Sequence, residues 1–202
     1  MVLDPEKREI RLKVVYYGPV VSGKTTNVVF ISQHYPGPKG ILARSEGLRG
    51  MTVVVDLLPI EVTLIKGYRA RVFLYTVPGQ YFFKPIRRIV LRGTDGVVFV
   101  ADSQAGRMED NKRYLLELFE GLKSFGRIRT PIVMQYNKQD LPEALPPKEI
   151  DQILNPYRFP TVPAVAIRGR GVFRTLELVL KAIVRVQIIP AVRKAGQARS
   201  SS

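Results

Sequence analysis

Gly18-Pro-Val-Val-Ser-Gly-Lys-Thr25 is the stretch from which the rest of the chain can be read. It fits G-x-x-x-x-G-K-[ST], follows directly on the apolar run 11–17, and opens a segment with helical spacing. In that context the glycines let the backbone turn tightly, so that successive N–H groups and the amino end of a helix face an anion. The candidate phosphate ligands are therefore Gly18, Val21, Ser22, Gly23, Lys24, Thr25 and Thr26. The Lys24 ammonium reaches the outer phosphates and the Thr25 hydroxyl is placed for Mg²⁺. Phosphate binding alone leaves ATP and GTP equally open.

Working outward, apolar runs recur at 11–17, 52–60, 70–76, 96–101, 132–136 and 162–166. Most are continuous rather than alternating, as strands buried on both faces of a mostly parallel sheet are. Helical patterns lie between them: at 107–124, Leu115, Leu118, Phe119 and Leu122 share one stripe, and 172–188 is a second clear case. The expectation is an α/β, doubly wound, mostly parallel sheet with helices on both faces. Its one exception is a hairpin, 52–65 and 68–76 flanking Lys66-Gly67. One domain over 1–190 and a disordered basic tail over 191–202, with Arg193, Lys194 and Arg199, account for the 202 residues.

Asn137-Lys-Gln-Asp140 follows the run 132–136, and its N-K-x-D spacing suits guanine. Asp140 would accept from N1–H and the N2 amine, Lys138 would cover the base, and Asn137 would tie this loop to the phosphate loop. Adenine has neither donor, so a carboxylate built for them would be left unpaired by ATP. The Ala166 backbone N–H, with Ile167 beside it, is placed for the guanine O6. Thr76-Val-Pro-Gly-Gln80 ends the run 70–76, where a phosphohydrolase of this kind needs a glycine N–H for the γ-phosphate (Gly79) and a glutamine for the attacking water (Gln80).

Composition excludes other chemistries. With no cysteine there is no disulfide framework, thiolate zinc site, cysteine nucleophile or lipidation through sulfur, and His34, the single histidine, reads as a helix-end residue. Asp95, Asp102 and Asp110 are too dispersed for paired-carboxylate catalysis. No continuous apolar segment opens the chain or approaches a membrane span, so a cytoplasmic protein is expected, peripheral to a membrane at most. A net charge of +15 favours anionic partners, and the basic residues Lys84, Arg87, Arg88 and Arg92 after Gln80 read as solvated helix charges or as a site for an acidic protein or anionic membrane. Nucleic-acid binding has no helix-turn-helix, zinc or RNA-binding motif behind it.

Six segments together resemble the MglA family of bacterial Ras-like GTPases of gliding motility and cell polarity. They are Gly18-Pro-x-x-Ser-Gly-Lys-Thr-Thr-Asn27, Asp56-Leu-Leu-Pro59, Leu74-Tyr-Thr-Val-Pro-Gly-Gln80, Leu91-Arg-Gly-x-Asp-Gly-x-Val-Phe-Val-Ala-Asp-Ser103, Asn137-Lys-x-Asp-Leu-Pro142 and Gly171-Val-Phe-x-Thr-Leu176. The resemblance implies a P-loop, Ras-like switch binding GTP and GDP with Mg²⁺, a roadblock-fold (MglB-like) regulator that stimulates hydrolysis, and effectors that read the GTP state. Thr76 stands where Ras itself has an aspartate near Mg²⁺. Aligning Asp56-Leu-Leu-Pro59 puts Thr52 at the first switch's metal-binding threonine, with Thr63 the alternative.

Two departures bear on rate. Val20 replaces a phosphate-loop glycine, and its branched side chain obstructs the approach of Gln80 or an arginine to the γ-phosphate. Met51 stands where the family supplies its own transition-state arginine, leaving Arg44 and Arg49 of the same loop as substitutes or as a basic surface segment. The expectation is a slow GTPase; the alternative is a GTP-bound adaptor that has lost hydrolysis.

Overall fold

The computed structural model describes residues 1–4, 7–45, 55–64 and 67–193. In chain order the strands are β1 (Val2–Asp4), β2 (Glu9–Tyr17), β3 (Ala43–Ser45), β4 (Val55–Thr63), β5 (Arg69–Thr76), β6 (Gly96–Asp102), β7 (Ile132–Asn137) and β8 (Thr161–Pro163). The helices are α1 (Lys24–His34), α2 (Lys84–Leu91), α3 (Met108–Ser124), α4 (Pro147–Leu154) and α5 (Val172–Ile183). All strands join one sheet in the order β3-β4-β5-β2-β6-β7-β8, with β1 antiparallel along β2. From β5 to β8 neighbours run parallel, and β4 returns antiparallel on β5, from Leu57 opposite Tyr75 to Thr63 opposite Arg69.

Side-chain parity explains the continuous apolar runs. Ile10, Leu12, Val14 and Tyr16 of β2 join a core with Val28 and Ile31 of α1 and Leu176, Val179 and Ile183 of α5. Val15 and Tyr17 point to the other side, into a core with Leu91, Leu115, Leu118, Leu122, Ile150 and Leu154 of α2, α3 and α4. Strands sandwiched in this way cannot alternate with polar residues. Farther out the second layer ends: Ala70, Val72 and Leu74 of β5 are buried, while Arg69 and Arg71 are exposed and Phe73 and Tyr75 only half-covered.

Several boundaries differ from those the sequence suggests. Strand β2 starts at Glu9, and β8 ends at Pro163, because Val165 N–H bonds the Arg170 carbonyl and Ala166 opens a tight 3-10 turn, Ala166–Arg168. The last helix passes through a π-turn at Val184–Ile188 and stays helical to Arg193, so the expected tail boundary at 190 falls inside a helical segment. The tail beyond Arg193, like Met51, Thr52 and Arg49, lies outside the described residues. Strands β1 and β3, of three residues each, are too short to carry a period in the sequence. The loops after β2, β5, β6, β7 and β8 all leave the sheet at one edge, the carboxyl ends of the parallel strands, where such folds bind ligands.

Candidate functional site

The phosphate loop leaves β2 at Gly18 and enters α1 at Lys24. Val21 and Gly23 both have positive φ, 62° and 101°. A β-branched residue there carries strain of about 1–2 kcal/mol, so the loop's shape is imposed by its surroundings and not by Val21 itself. Gly23 has a second reason: a Cβ would overlap the Asn137 side-chain amide. Asn27 on α1 exchanges amide hydrogen bonds with Gln135 of β7 at 2.8 and 2.9 Å, and Gln135 also reaches Thr175 of α5, which fixes the helix behind the loop.

Lys24 folds back on the loop, its Nζ donating to the carbonyls of Gly18, at 3.0 Å, and Pro19. Burial, and after it the positive charge of Arg87, lowers this ammonium from 10.5 to about 7. A cleft of about 340 Å³ opens beside it, lined on one side by Val20, Val21, Gly23, Thr25 and Thr26 and on the other by Val77, Pro78, Gly79 and Gln80. Gly79 is packed so tightly that a Cβ would overlap the Val20 Cα and lie 3.1 Å from Lys24 Nζ. The predicted phosphate residues and the predicted glutamine therefore face one another.

The sequence placed Arg87 among surface charges, and the structure corrects this. Arg87 is fully buried, with Nε and Nη2 on the Glu117 carboxylate at 2.7 and 3.0 Å. Its remaining donors reach the carbonyls of Pro78, Gln80 and Tyr81, and the Tyr114 hydroxyl donates to the carbonyl of Gly79. Each carbonyl from 78 to 81 is thus held by α2 or α3. Glu117 also accepts from Tyr17, the residue before Gly18, at 2.7 Å. Burial opposes the Glu117 charge, but the hydrogen bonds from Arg87 and Tyr17 outweigh it and hold the carboxyl below the usual range. Lys84 pairs with Glu120 on the surface, and Lys84, Arg88 and Arg92 are the exposed members of the basic segment.

A carboxylate that sequence reading passed over stands next to Thr76. Asp56 on β4 is fully buried; Thr76 Oγ1 donates to Asp56 Oδ2 at 3.0 Å and accepts from the Asp56 N–H at 2.9 Å. Arg44, weighed above as a substitute arginine, is instead paired to Asp56 through Nε at 2.9 Å. Thr63 sits at the far end of β4 opposite Arg69, which removes it as the alternative to Thr52.

In the base-side loops, Asn137 Nδ2 donates to the Ser22 carbonyl at 2.8 Å, the tie expected between the two loops. Its Oδ1 accepts from the Ala166 N–H at 2.9 Å, so that N–H, expected to face guanine O6, is engaged within the protein. Lys138 has φ 67°, and its ammonium is 2.6 Å from Asp102 at the end of β6. Asp102, too far from other carboxylates for paired-carboxylate catalysis, thus positions Lys138, the lysine expected to cover the base. Asp140 is partly exposed with Arg168 at 3.9 Å, and Ile167 is exposed beside it in the chain from Arg168. His34 ends α1 stacked on Phe30, as a helix-end residue.

A family model described as the ADP-ribosylation factor (Arf) family matches residues 54–183. The chain is also 43% identical over 185 residues to the mutual gliding-motility protein MglA of Myxococcus xanthus, covering 90% of this chain and 95% of that protein. The chain is an MglA-like small GTPase of the Arf type. More distant matches are human ADP-ribosylation factor-like proteins 4C, 30% identical over 55% of this chain and 60% of theirs, and 4A, 31% identical over 62% and 65%. The MglA-like assignment agrees with the mostly parallel sheet, the hairpin and the two helical layers. Among the described residues no helix is long and apolar enough to cross a membrane.

Two measurements follow for this MglA-like GTPase. Arg87→Ala leaves Glu117 buried and unpaired and should lower unfolding stability by about 3–5 kcal/mol in urea titration, whereas replacing both residues with apolar ones should cost less. With its ammonium lowered to about 7, Lys24 should be mostly neutral at pH 8 in the free protein, and a triphosphate beside it should restore its charge. Nucleotide binding at pH 8 should therefore take up about one proton, and close to none at pH 6, seen as a buffer dependence of the calorimetric heat. Heats identical in all buffers at pH 8 contradict this.

Proposed function

We propose that this GTP-binding switch uses the cleft between 18–26 and 77–80 for its phosphates and the 137–140 loop for guanine, and that it hydrolyses GTP slowly. The observation that carries the reading is the convergence of the phosphate loop, the 137–140 loop and the turn after β8 on one sheet edge, tied together by the Asn137 carboxamide. Backbone groups of Gly18, Val21, Ser22, Gly23, Lys24, Thr25 and Thr26 cradle the phosphates, Gly79 serves the γ-phosphate, and Gln80 orients the attacking water. Asp140 reads the base while Lys138 and Ile167 cover it, and Ala166 contributes to O6 only by sharing its N–H with Asn137.

The residues present fit the family's Mg²⁺. Thr25 lines the cleft and Thr52 would close over the metal from the first switch, while Asp56, paired to Arg44, holds the Thr76 hydroxyl. Held by Thr25 and Thr52, Mg²⁺ would supply positive charge to offset that of the phosphates. The protein's own contribution is to hold Gln80: Arg87 fixes its carbonyl, and the backbone there is extended, φ −74° and ψ 145°.

Val20 supports the slow rate. Its Cα lies directly under Gly79 and its side chain is 37% exposed, at the place where glutamine and water must meet the γ-phosphate. Hydrolysis suffers more than binding, and a roadblock-type regulator and effectors that read the GTP state fit the face of 78–84, where Tyr81 and Phe82 are exposed. Single-turnover hydrolysis of bound GTP should run on the order of 10⁻⁴ s⁻¹ or below, and Val20→Gly with Met51→Arg should speed it. A hundredfold faster wild-type rate without a partner contradicts the proposal; no hydrolysis even with a roadblock-type partner converts it to the adaptor reading.

A further inference from the structure

Three successive carbonyls of the phosphate loop are occupied by two cations. Lys24 takes those of Gly18 and Pro19, and the next, Val20, accepts from Nη2 of Arg107 at 3.1 Å. Arg107 closes the tight turn Ala105–Arg107 that leads into α3. Its Nη1 lies 2.8 Å from Asp110, its Nε 3.9 Å from Asp102, and its side chain is 31% exposed. Gly79 packs on Val20 from the switch side, so this residue stands between the switch glycine and a guanidinium. For Lys24 the carbonyls are a resting place that phosphate oxygens, being charged acceptors, displace. The Val20 carbonyl offers Arg107 the same kind of resting place, one peptide farther along toward the switch.

We infer that Arg107 is a second phosphate-binding cation, which turns from the Val20 carbonyl to the γ-phosphate as its charge develops and fills the role that Met51 leaves empty. The inference rests on the guanine-nucleotide reading above. In the step concerned, the bond from the γ-phosphorus to the β–γ bridging oxygen breaks, its electron pair staying on GDP, while a bond to the water oxygen forms. The water's protons pass to the released phosphate and solvent. Arg107 remains charged throughout and only donates hydrogen bonds. Asp110 holds one edge of its guanidinium, so its contribution falls short of the order of 10³ to 10⁵ that a free arginine finger supplies.

The test is Arg107→Met, which keeps the apolar stem, compared with wild type in three assays: GDP affinity, single-turnover hydrolysis of bound GTP, and capture of fluoroaluminate on the GDP complex. The expected result is GDP affinity within about threefold, hydrolysis slowed at least about tenfold, and fluoroaluminate capture lost. Arg107→Lys should not restore capture, because an ammonium lacks the planar fork. Equal hydrolysis and equal capture in the variant overturn the inference, as does a variant whose only change is weaker GDP binding, the mark of a loop tie. A wild-type protein that binds GTP but neither hydrolyses it nor captures fluoroaluminate overturns it as well. Failure of wild type to bind any guanine nucleotide is distinguishable, since it removes the underlying reading itself.

Discussion

One carboxamide fastens the site together. Asn137, 3% exposed, uses its Nδ2 to hold the Ser22 carbonyl of the phosphate loop and its Oδ1 to hold the Ala166 N–H after β8. Three loops from three strands thereby share one side chain with no room to drift, and the missing Cβ of Gly23 is what lets the amide approach. Losing either bond leaves a buried polar group unmatched, which costs more than a hydrogen bond gains. Discrimination between purines needs this rigidity, because a carboxylate can penalise the wrong base only if it cannot move to accommodate it.

The switch side is fastened differently. The carbonyls of 78–81 are held by Arg87 and Tyr114, and Arg87 is held in turn by Glu117, which also holds Tyr17 at the root of the phosphate loop. Any movement of Gly79 away from Val20 must break bonds to a buried guanidinium, and any change at Gly18 is felt through Tyr17. Those bonds join the root of the phosphate loop to the segment that presents Tyr81 and Phe82. The Gln80 carbonyl is thereby tied to a network with few ways to rearrange.

The glycine-rich loop, the antiparallel hairpin and the mostly parallel sheet were legible because each depends on local pattern: glycine spacing, a Lys-Gly pair between two apolar runs, and continuous apolar stretches. What stayed hidden depends on pairs far apart in the chain. Arg87 looks like its neighbours Lys84 and Arg88, and only Glu117, on another helix, makes it a buried ion. Asp56 gains meaning from Thr76 across a β-ladder, and Asp102 from Lys138 across two parallel strands. Periodicity carries no record of such pairings. The end of β8 was misplaced for a related reason, since the apolar residues 164–166 leave the sheet to make room for the turn that donates to Asn137.

Selectivity for guanine requires a main-chain phosphate cradle rigidly joined to the 137–140 loop. Calorimetric titration of nucleotide-free protein with GDP and with ADP, in the presence of Mg²⁺, tests this most directly. The account predicts that GDP binds at least about 10²-fold more tightly than ADP, and that Asn137→Ala weakens GDP while narrowing that ratio. Equal affinity for the two, or no uptake of either, contradicts it.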